Sequence, residues 1–297
     1  MRVLRLCDSI VLNFLKIINM KICINGEYLD SKDAKISVYD DCFLSGYGVY
    51  DTLRTYGGRI WQMGKHLERF LGAMKALGLS VDYSNRQIAE MISETIRLNG
   101  FAESKIRVTV SGGSSALYGD LDLKPNLIVM VEDLKPVDPE LVRNGVIAIT
   151  YDIERTLPEI KTCNLLSSKL ALHEAHKEDA YEALLVDCKG HITEGSITNV
   201  FFVKDGDLLT PKNDILLGTT RDLIIELAQS ENIKVHEAAV SVADLKGIQE
   251  CFICNVTRGI VPVKEIKNLG LKFNIGEGVT ERVQKLFADY IERFKKG

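Results

Sequence analysis

Lys161 lies in Leu157-Pro158-Glu159-Ile160-Lys161-Thr162-Cys163-Asn164, between a proline turn and the start of a predicted helix, in a locally apolar run. Burial and a helix N-terminus both favour the neutral amine that a nucleophile needs. Bringing a lysine from about 10.4 to about 7–8 takes roughly 4 kcal/mol of environmental bias. A solvated surface lysine is the ordinary alternative. In Leu217-Gly218-Thr219-Thr220-Arg221-Asp222 a glycine and two hydroxyls open an amphipathic helix. Backbone N–H groups, hydroxyl donors and the positive dipole end then coincide, which suits a phosphate; the same residues also make a plain helix start. Three further patterns point to less. His173-Glu-Ala-His176 puts two imidazoles on one helix face with no third ligand nearby, so no metal is expected. Cys251-Phe-Ile-Cys254 lies in an apolar strand that turns its two thiols to opposite faces, which reads as buried small hydrophobes rather than a redox pair. Gly112-Gly-Ser-Ser115 lacks the lysine of a P-loop and the glycine order of a dinucleotide site, and reads as a hairpin connection.

The elements that must position these residues follow from periodicity and punctuation. Leu67, Phe70, Leu71, Met74 and Leu77 recur at helical spacing up to Gly78, and a second helix runs from Arg86 to Leu98 before Asn99-Gly100. Strands are expected at Lys105–Val110 and Asn126–Val131, so the first lobe is α+β. Leu134-Lys-Pro136-Val-Asp-Pro139 holds two of six prolines and reads as a linker. Beyond it come strand Val146–Tyr151, helix Asn164–Lys177, strands Glu182–Val186 and Asn199–Val203, helix Thr220–Ser230, strand Glu250–Asn255 and a last helix around Val279–Phe294. Two lobes suit 297 residues with 46% hydrophobic content. A net charge of −4, from 37 basic and 41 acidic residues well mixed along the chain, offers no cationic field for nucleic acid or anionic lipid. Seven widely spaced cysteines read as reduced, cytoplasmic thiols. The apolar run Ile10–Leu15 is interrupted by Asn13, followed by Lys16, and far short of the ~20 residues that span a bilayer, so residues 1–19 are expected to be an appendage before Met20 rather than a signal or anchor.

Six segments in order over two hundred residues resemble the class IV pyridoxal-phosphate enzymes, the group of branched-chain and D-amino-acid aminotransferases and 4-amino-4-deoxychorismate lyase. They are Gly46-Tyr-Gly-Val-Tyr50-Asp-Thr-Leu-Arg54, His66-Leu-Glu-Arg69, Ile160-Lys161-Thr-Cys-Asn164, Thr193-Glu194-Gly195 through Asn199-Val-Phe201, Gly218-Thr-Thr220-Arg-Asp222 and Gly259-Ile-Val-Pro262-Val. The resemblance implies an α+β, two-domain fold type IV enzyme. Its parts would be an extension at 1–19, a small N-terminal α+β domain at 20–134, a linker at 135–144 and a larger pseudo-barrel domain at 145–297, in a homodimer. It implies pyridoxal 5'-phosphate as cofactor and an amino acid with a 2-oxo acid, such as 2-oxoglutarate, as substrates. Lys161 would be the Schiff-base lysine and proton carrier, and Glu194 would hold the pyridine nitrogen protonated. Without the family, Glu194 is a routine hairpin carboxylate. Arg69, Thr219 and Thr220 would bind the phosphate, with Arg155 a secondary candidate. Asn255 and Val256 stand where aminotransferases usually have a small residue and a phosphate-binding threonine; Val256 offers an N–H but no hydroxyl, and asparagine there leans to the lyase. On the substrate side the resemblance points to Tyr50 and Phe43 as an apolar wall, Arg107 as a carboxylate ligand and Thr257. The loop Gly112–Gly119 lacks the arginine and histidine of the D-amino-acid enzymes, which turns the expectation towards a small or branched-chain L-amino acid.

Overall fold

The computed structural model describes residues 20–114 and 124–297; the appendage at 1–19 and residues 115–119 of the loop read above lie outside the described residues. The chain divides into two compact units between Lys135 and Pro136.

The first unit opens on a hairpin, β1 (Lys21–Ile24) and β2 (Glu27–Asp30), whose turn residues Asn25 and Gly26 both have positive φ, as an Asn-Gly pair permits. A short helix α1 (Asp41–Ser45) precedes β3 (Gly48–Tyr56) and β4 (Arg59–Ile60). Helices α2 (Met63–Ala76) and α3 (Asn85–Asn99) follow, then β5 (Ser104–Ser111) and β6 (Leu127–Asp133). The strands form one sheet in the order β2-β1-β6-β5-β3-β4. Helix α3 starts on a Ser84–Gln87 capping box and ends at Gly100 in the left-handed conformation. Alternation along β3 turns Val49, Asp51 and Leu53 to one face, in register with Val110, Val108 and Ile106 of β5, and all six are fully buried. Phe70 of α2 and Ile88 and Ile92 of α3 complete the buried apolar set.

Asp51 is the one acid in that buried row, and its carboxylate is fully engaged. Oδ1 accepts from the Thr52 N–H at 2.6 Å, Arg69 Nη2 at 2.8 Å and His66 Nδ1 at 2.9 Å, while Oδ2 accepts from Arg69 Nε at 2.8 Å. Burial alone would raise its pKa; the Arg69 charge and the bonds from His66 and Arg69 overcome this and hold the carboxyl well below the usual range.

In the second unit α4 (Pro139–Asn144) leads to β7 (Val146–Asp152), α5 (Leu166–Lys177), β8 (Glu182–Val186), β9 (His191–Gly195), β10 (Asn199–Lys204) and β11 (Asp207–Thr210). Then come α6 (Thr219–Ser230), β12 (Val235–Glu237), β13 (Val240–Ser241), β14 (Glu250–Asn255), β15 (Gly259–Ile266), β16 (Leu271–Lys272) and α7 (Val279–Lys296). The ten strands form a curled half-barrel in the order β12-β11-β10-β14-β15-β7-β8-β9-β13, with β16 beside β15. Ala148, Leu184, Val200, Phe202, Cys251, Ile253 and Val263 pack on its inner side. On another face Phe201 and Phe252 stack at 4.9 Å, and Ala171 and Ala175 of α5 cover Ile149, Ala183 and Leu185. Cys251 and Cys254 are buried and burial pushes both thiols up, so neither is a ready nucleophile. Helix α7 is started by Glu250, whose carboxylate accepts from the N–H groups of Val279 at 3.0 Å and Thr280 at 2.8 Å.

The architecture is the α+β one that the resemblance implies. One detail differs from the sequence reading. The proline-marked linker contains α4, because Asp138 caps it through the Glu140 N–H and Pro139 occupies its first turn, where a missing N–H is harmless. Strand β15 carries Pro262 in its interior; it pairs with β14 from Gly259 to Val263 and joins β7 only from Val263, so the proline falls before that second ladder begins.

Replacing Asp51 by asparagine removes the charge that Arg69 and His66 pair with inside the sheet, and the expected loss is about 3–5 kcal/mol in urea unfolding at neutral pH. Because the folded pKa of Asp51 is depressed, its contribution is present above about pH 4 and fades as pH falls towards the folded value. The gap between parent and Asp51→Asn therefore narrows in acid; a gap equal at pH 7 and pH 3 contradicts the assignment.

Candidate active site

Lys161 sits half-buried in the loop between β7 and α5. That loop is shaped by Arg155, whose guanidinium donates to the carbonyls of Pro158 at 3.2 Å and Ile160 at 3.1 Å. It turns sharply at Leu157, a leucine with φ of 51° immediately before a proline, a conformation that L side chains seldom adopt. Nη1 of the same arginine donates to Glu194 Oε1. Arg155, a secondary phosphate candidate by the resemblance, is placed as a brace between the lysine loop and strand β9.

Glu194 is buried at the end of β9. Besides Arg155, its carboxylate accepts the Leu216 N–H at 3.1 Å on Oε2. Burial pushes its pKa up, against the pull of Arg155, the Leu216 N–H and the nearby Lys161 charge. The carboxylate has a greater proton affinity than a surface acid, and the Lys161 charge is felt at it. Leu216 belongs to the segment that starts α6. Asn199 holds the same segment by donating from Nδ2 to the Leu216 carbonyl at 2.8 Å, and a Cβ on Gly218 would come within 2.1 Å of Asn199 Oδ1. Glycine is required there by close approach.

Helix α6 begins at Thr219 with Gly218 as its N-cap, which provides no side-chain acceptor for the first-turn N–H groups. Thr219 and Thr220 are buried, and Thr220 Oγ1 has no hydrogen-bond partner among the described residues. A buried hydroxyl left so at a helix N-terminus is what an anionic oxygen would satisfy. Asn255 closes β14 with an Asx turn, Oδ1 accepting from the N–H groups of Thr257 at 3.1 Å and Arg258 at 2.9 Å and from Thr257 Oγ1 at 3.1 Å. Its Nδ2 donates to the Ile197 carbonyl at 3.3 Å. The side chain of Asn255 is therefore engaged in shaping the turn that carries Val256 and Thr257.

In the first unit, Arg69 lies on the Asp51 face of the sheet. Tyr50 points to the other face with Arg107, whose guanidinium stacks 3.6 Å from its ring centroid. The sheet therefore separates Arg69 from Tyr50 and Arg107. Phe43 of α1 is 72% exposed. Asp51, Asn199 and a further buried carboxylate, Glu182, were not singled out in the sequence. Their signals are slight: Asp51 is an acid at an inward register of an apolar strand, and Glu182 opens the otherwise apolar Ala183-Leu-Leu-Val. Among the described residues no group of three or more His, Cys, Asp and Glu side chains could hold a metal, and no helix is long and apolar enough to cross a membrane.

Comparison with known proteins joins these observations. A Methanocaldococcus jannaschii protein, provisionally named a branched-chain-amino-acid aminotransferase, is 35% identical over 91% of this chain and 96% of its own. A D-alanine aminotransferase of Staphylococcus epidermidis is 31% identical over 92% and 98%. Among solved structures, the branched-chain aminotransferase of the thermophilic archaeon Thermoproteus uzoniensis, crystallised with norvaline, superposes with a TM-score of 0.84 at 26% identity, covering 92% of this chain and 94% of that one. The family model described as amino-transferase class IV matches residues 48–266, and the chain belongs to that family, whose cofactor is pyridoxal 5'-phosphate.

Proposed function

We propose that this protein is an aminotransferase that moves the amino group of a small or branched-chain L-amino acid to a 2-oxo acid such as 2-oxoglutarate, in two half-reactions at one site. The observation that carries the reading is the buried Arg155–Glu194 pair beside Lys161, with the unpartnered Thr220 hydroxyl at the start of α6. The residues of the larger unit fit the cofactor: Thr219, Thr220 and the Val256 N–H suit its phosphate, and Glu194 suits a protonated ring nitrogen. Bound there, pyridoxal 5'-phosphate supplies the aldehyde that takes up the amino group and a ring that accepts negative charge from the substrate Cα. The chain supplies the rest. Lys161 moves the proton at Cα, and the two half-reactions share it. Glu194, kept ionised by its pairing with Arg155, would hold a proton at the ring nitrogen as its counter-charge. Arg107, stacked over the Tyr50 ring, is the cation proposed for a substrate carboxylate, and Thr257 is a polar contact beside Asn255. Exposed Leu157, Leu166, Ile197 and Leu217 lie on or beside the segments that carry Lys161, Glu194 and Thr219, which favours an apolar substrate side chain. Exposed Val38, Tyr39, Phe43 and Leu44 form a stretch that a second copy would cover, which supports a homodimer.

Borohydride treatment is expected to fix the cofactor covalently to the parent chain and not to Lys161→Ala; trapping by the variant would remove the lysine from its role. Glu194→Gln is expected to retain cofactor while turnover falls about 10²-fold or more, and parent-like turnover argues against its proton-holding part. With 2-oxoglutarate as acceptor, L-leucine is expected to yield its 2-oxo acid faster than D-alanine does. Pyruvate released from aminodeoxychorismate, without turnover of either amino acid, would instead make the chain a lyase.

A further inference from the structure

Glu182 opens β8 with no exposure to solvent, and its carboxylate gathers four neutral donors. Oε1 accepts from the N–H of Ala183 at 2.9 Å, the N–H of Ser196 at 3.0 Å and the Ser196 hydroxyl, and Oε2 accepts from Thr198 Oγ1 at 3.0 Å. Three of the four come from the turn between β9 and β10. That turn is folded down on the carboxylate so closely that a Cβ on Gly195 would meet Thr198 Oγ1 at 2.0 Å and Glu182 Cδ at 3.1 Å. The Gly195 N–H closes the turn on the Thr198 carbonyl at 2.7 Å.

Each end of this turn leads to a residue assigned above. Immediately before it is Glu194; immediately after it is Asn199, which holds the Leu216 carbonyl, while the Leu216 N–H returns to Glu194. Its middle residue, Ile197, receives Asn255 Nδ2 and so anchors the turn bearing Val256. A deeply buried carboxylate is retained at a cost in desolvation, and here it fixes the one turn on which the ring-nitrogen partner, the start of α6 and the Asn255 turn all depend.

We propose that Glu182 is a positioning residue for cofactor binding, acting through the Gly195–Thr198 turn without touching the cofactor. The proposal rests on the functional reading above. The test is a fluorescence titration of the cofactor-free protein with pyridoxal 5'-phosphate for the parent, Glu182→Gln, Glu182→Ala, Thr198→Val and Glu250→Ala, with urea unfolding of each cofactor-free form. Glu250 is the control, being a second buried carboxylate of the same unit that holds α7 rather than the turn. Glu182→Ala is expected to weaken binding about tenfold or more, Thr198→Val and Glu182→Gln only a few-fold, and Glu250→Ala not at all even where its unfolding midpoint falls as far. The pH midpoint of the bound cofactor's visible absorbance should also shift in Glu182→Ala and not in Glu250→Ala, because only the former loosens Glu194. Parent-like affinity in folded Glu182→Ala overturns the proposal, as does equal weakening by Glu250→Ala. Should Glu182→Ala not fold, parent-like affinity in Thr198→Val overturns it. A parent chain that binds no pyridoxal 5'-phosphate is a different result, since it removes the functional reading itself.

Discussion

A carboxylate taken out of water has to be paired or neutralised, and in the larger unit that requirement organises the site. Glu194 is buried, and its one guanidinium partner, Arg155, also grips two carbonyls of the Lys161 loop. One buried ion pair therefore fixes both Glu194 and the loop that carries Lys161. Burial pushes the Glu194 pKa up, and the Arg155 charge, the Leu216 N–H and the Lys161 charge oppose that push.

The smaller unit meets the same requirement with opposite effect. Asp51 is as deeply buried, but a bidentate guanidinium and an imidazole keep it ionised. Arg69 is thereby fixed in place by a neighbour, while Arg107 is fixed by lying flat on Tyr50 across the sheet. Two arginines of one domain are given different surroundings by the simple alternation of β3 and its register with β5.

Helices were legible because their apolar residues repeat at helical spacing and their ends are marked, as in the Ser84–Gln87 box and Gly100. Strands with apolar runs, such as Glu250–Asn255, were legible too. What escaped the sequence shares a cause, which is dependence on distant partners. The prolines of 136–139 suggest an extended linker until Asp138 is seen capping α4. Of the site, Lys161, Glu194, Arg69 and the Gly218–Thr220 helix start could be named through the order of six short segments. Asp51, Glu182, Asn199 and the bracing role of Arg155 could not, because each acts on residues remote in sequence, and an acid in a strand gives no sign of what will surround it.

The strand order of the larger unit bears on how this site comes into being. β15 lies parallel to β7, joining Val263 to Val146, and β10 pairs with β14, so the β9–β10 turn and the start of α6 lie within chain that these pairings must first enclose. Closing so long a loop loses entropy before any contact repays it, which makes such topologies slow to assemble. The helix start suited to phosphate therefore has no stable form ahead of the barrel wall, and a ligand selective for it binds only after the search is over. Cofactor would slow unfolding and deepen the native basin without speeding the route into it.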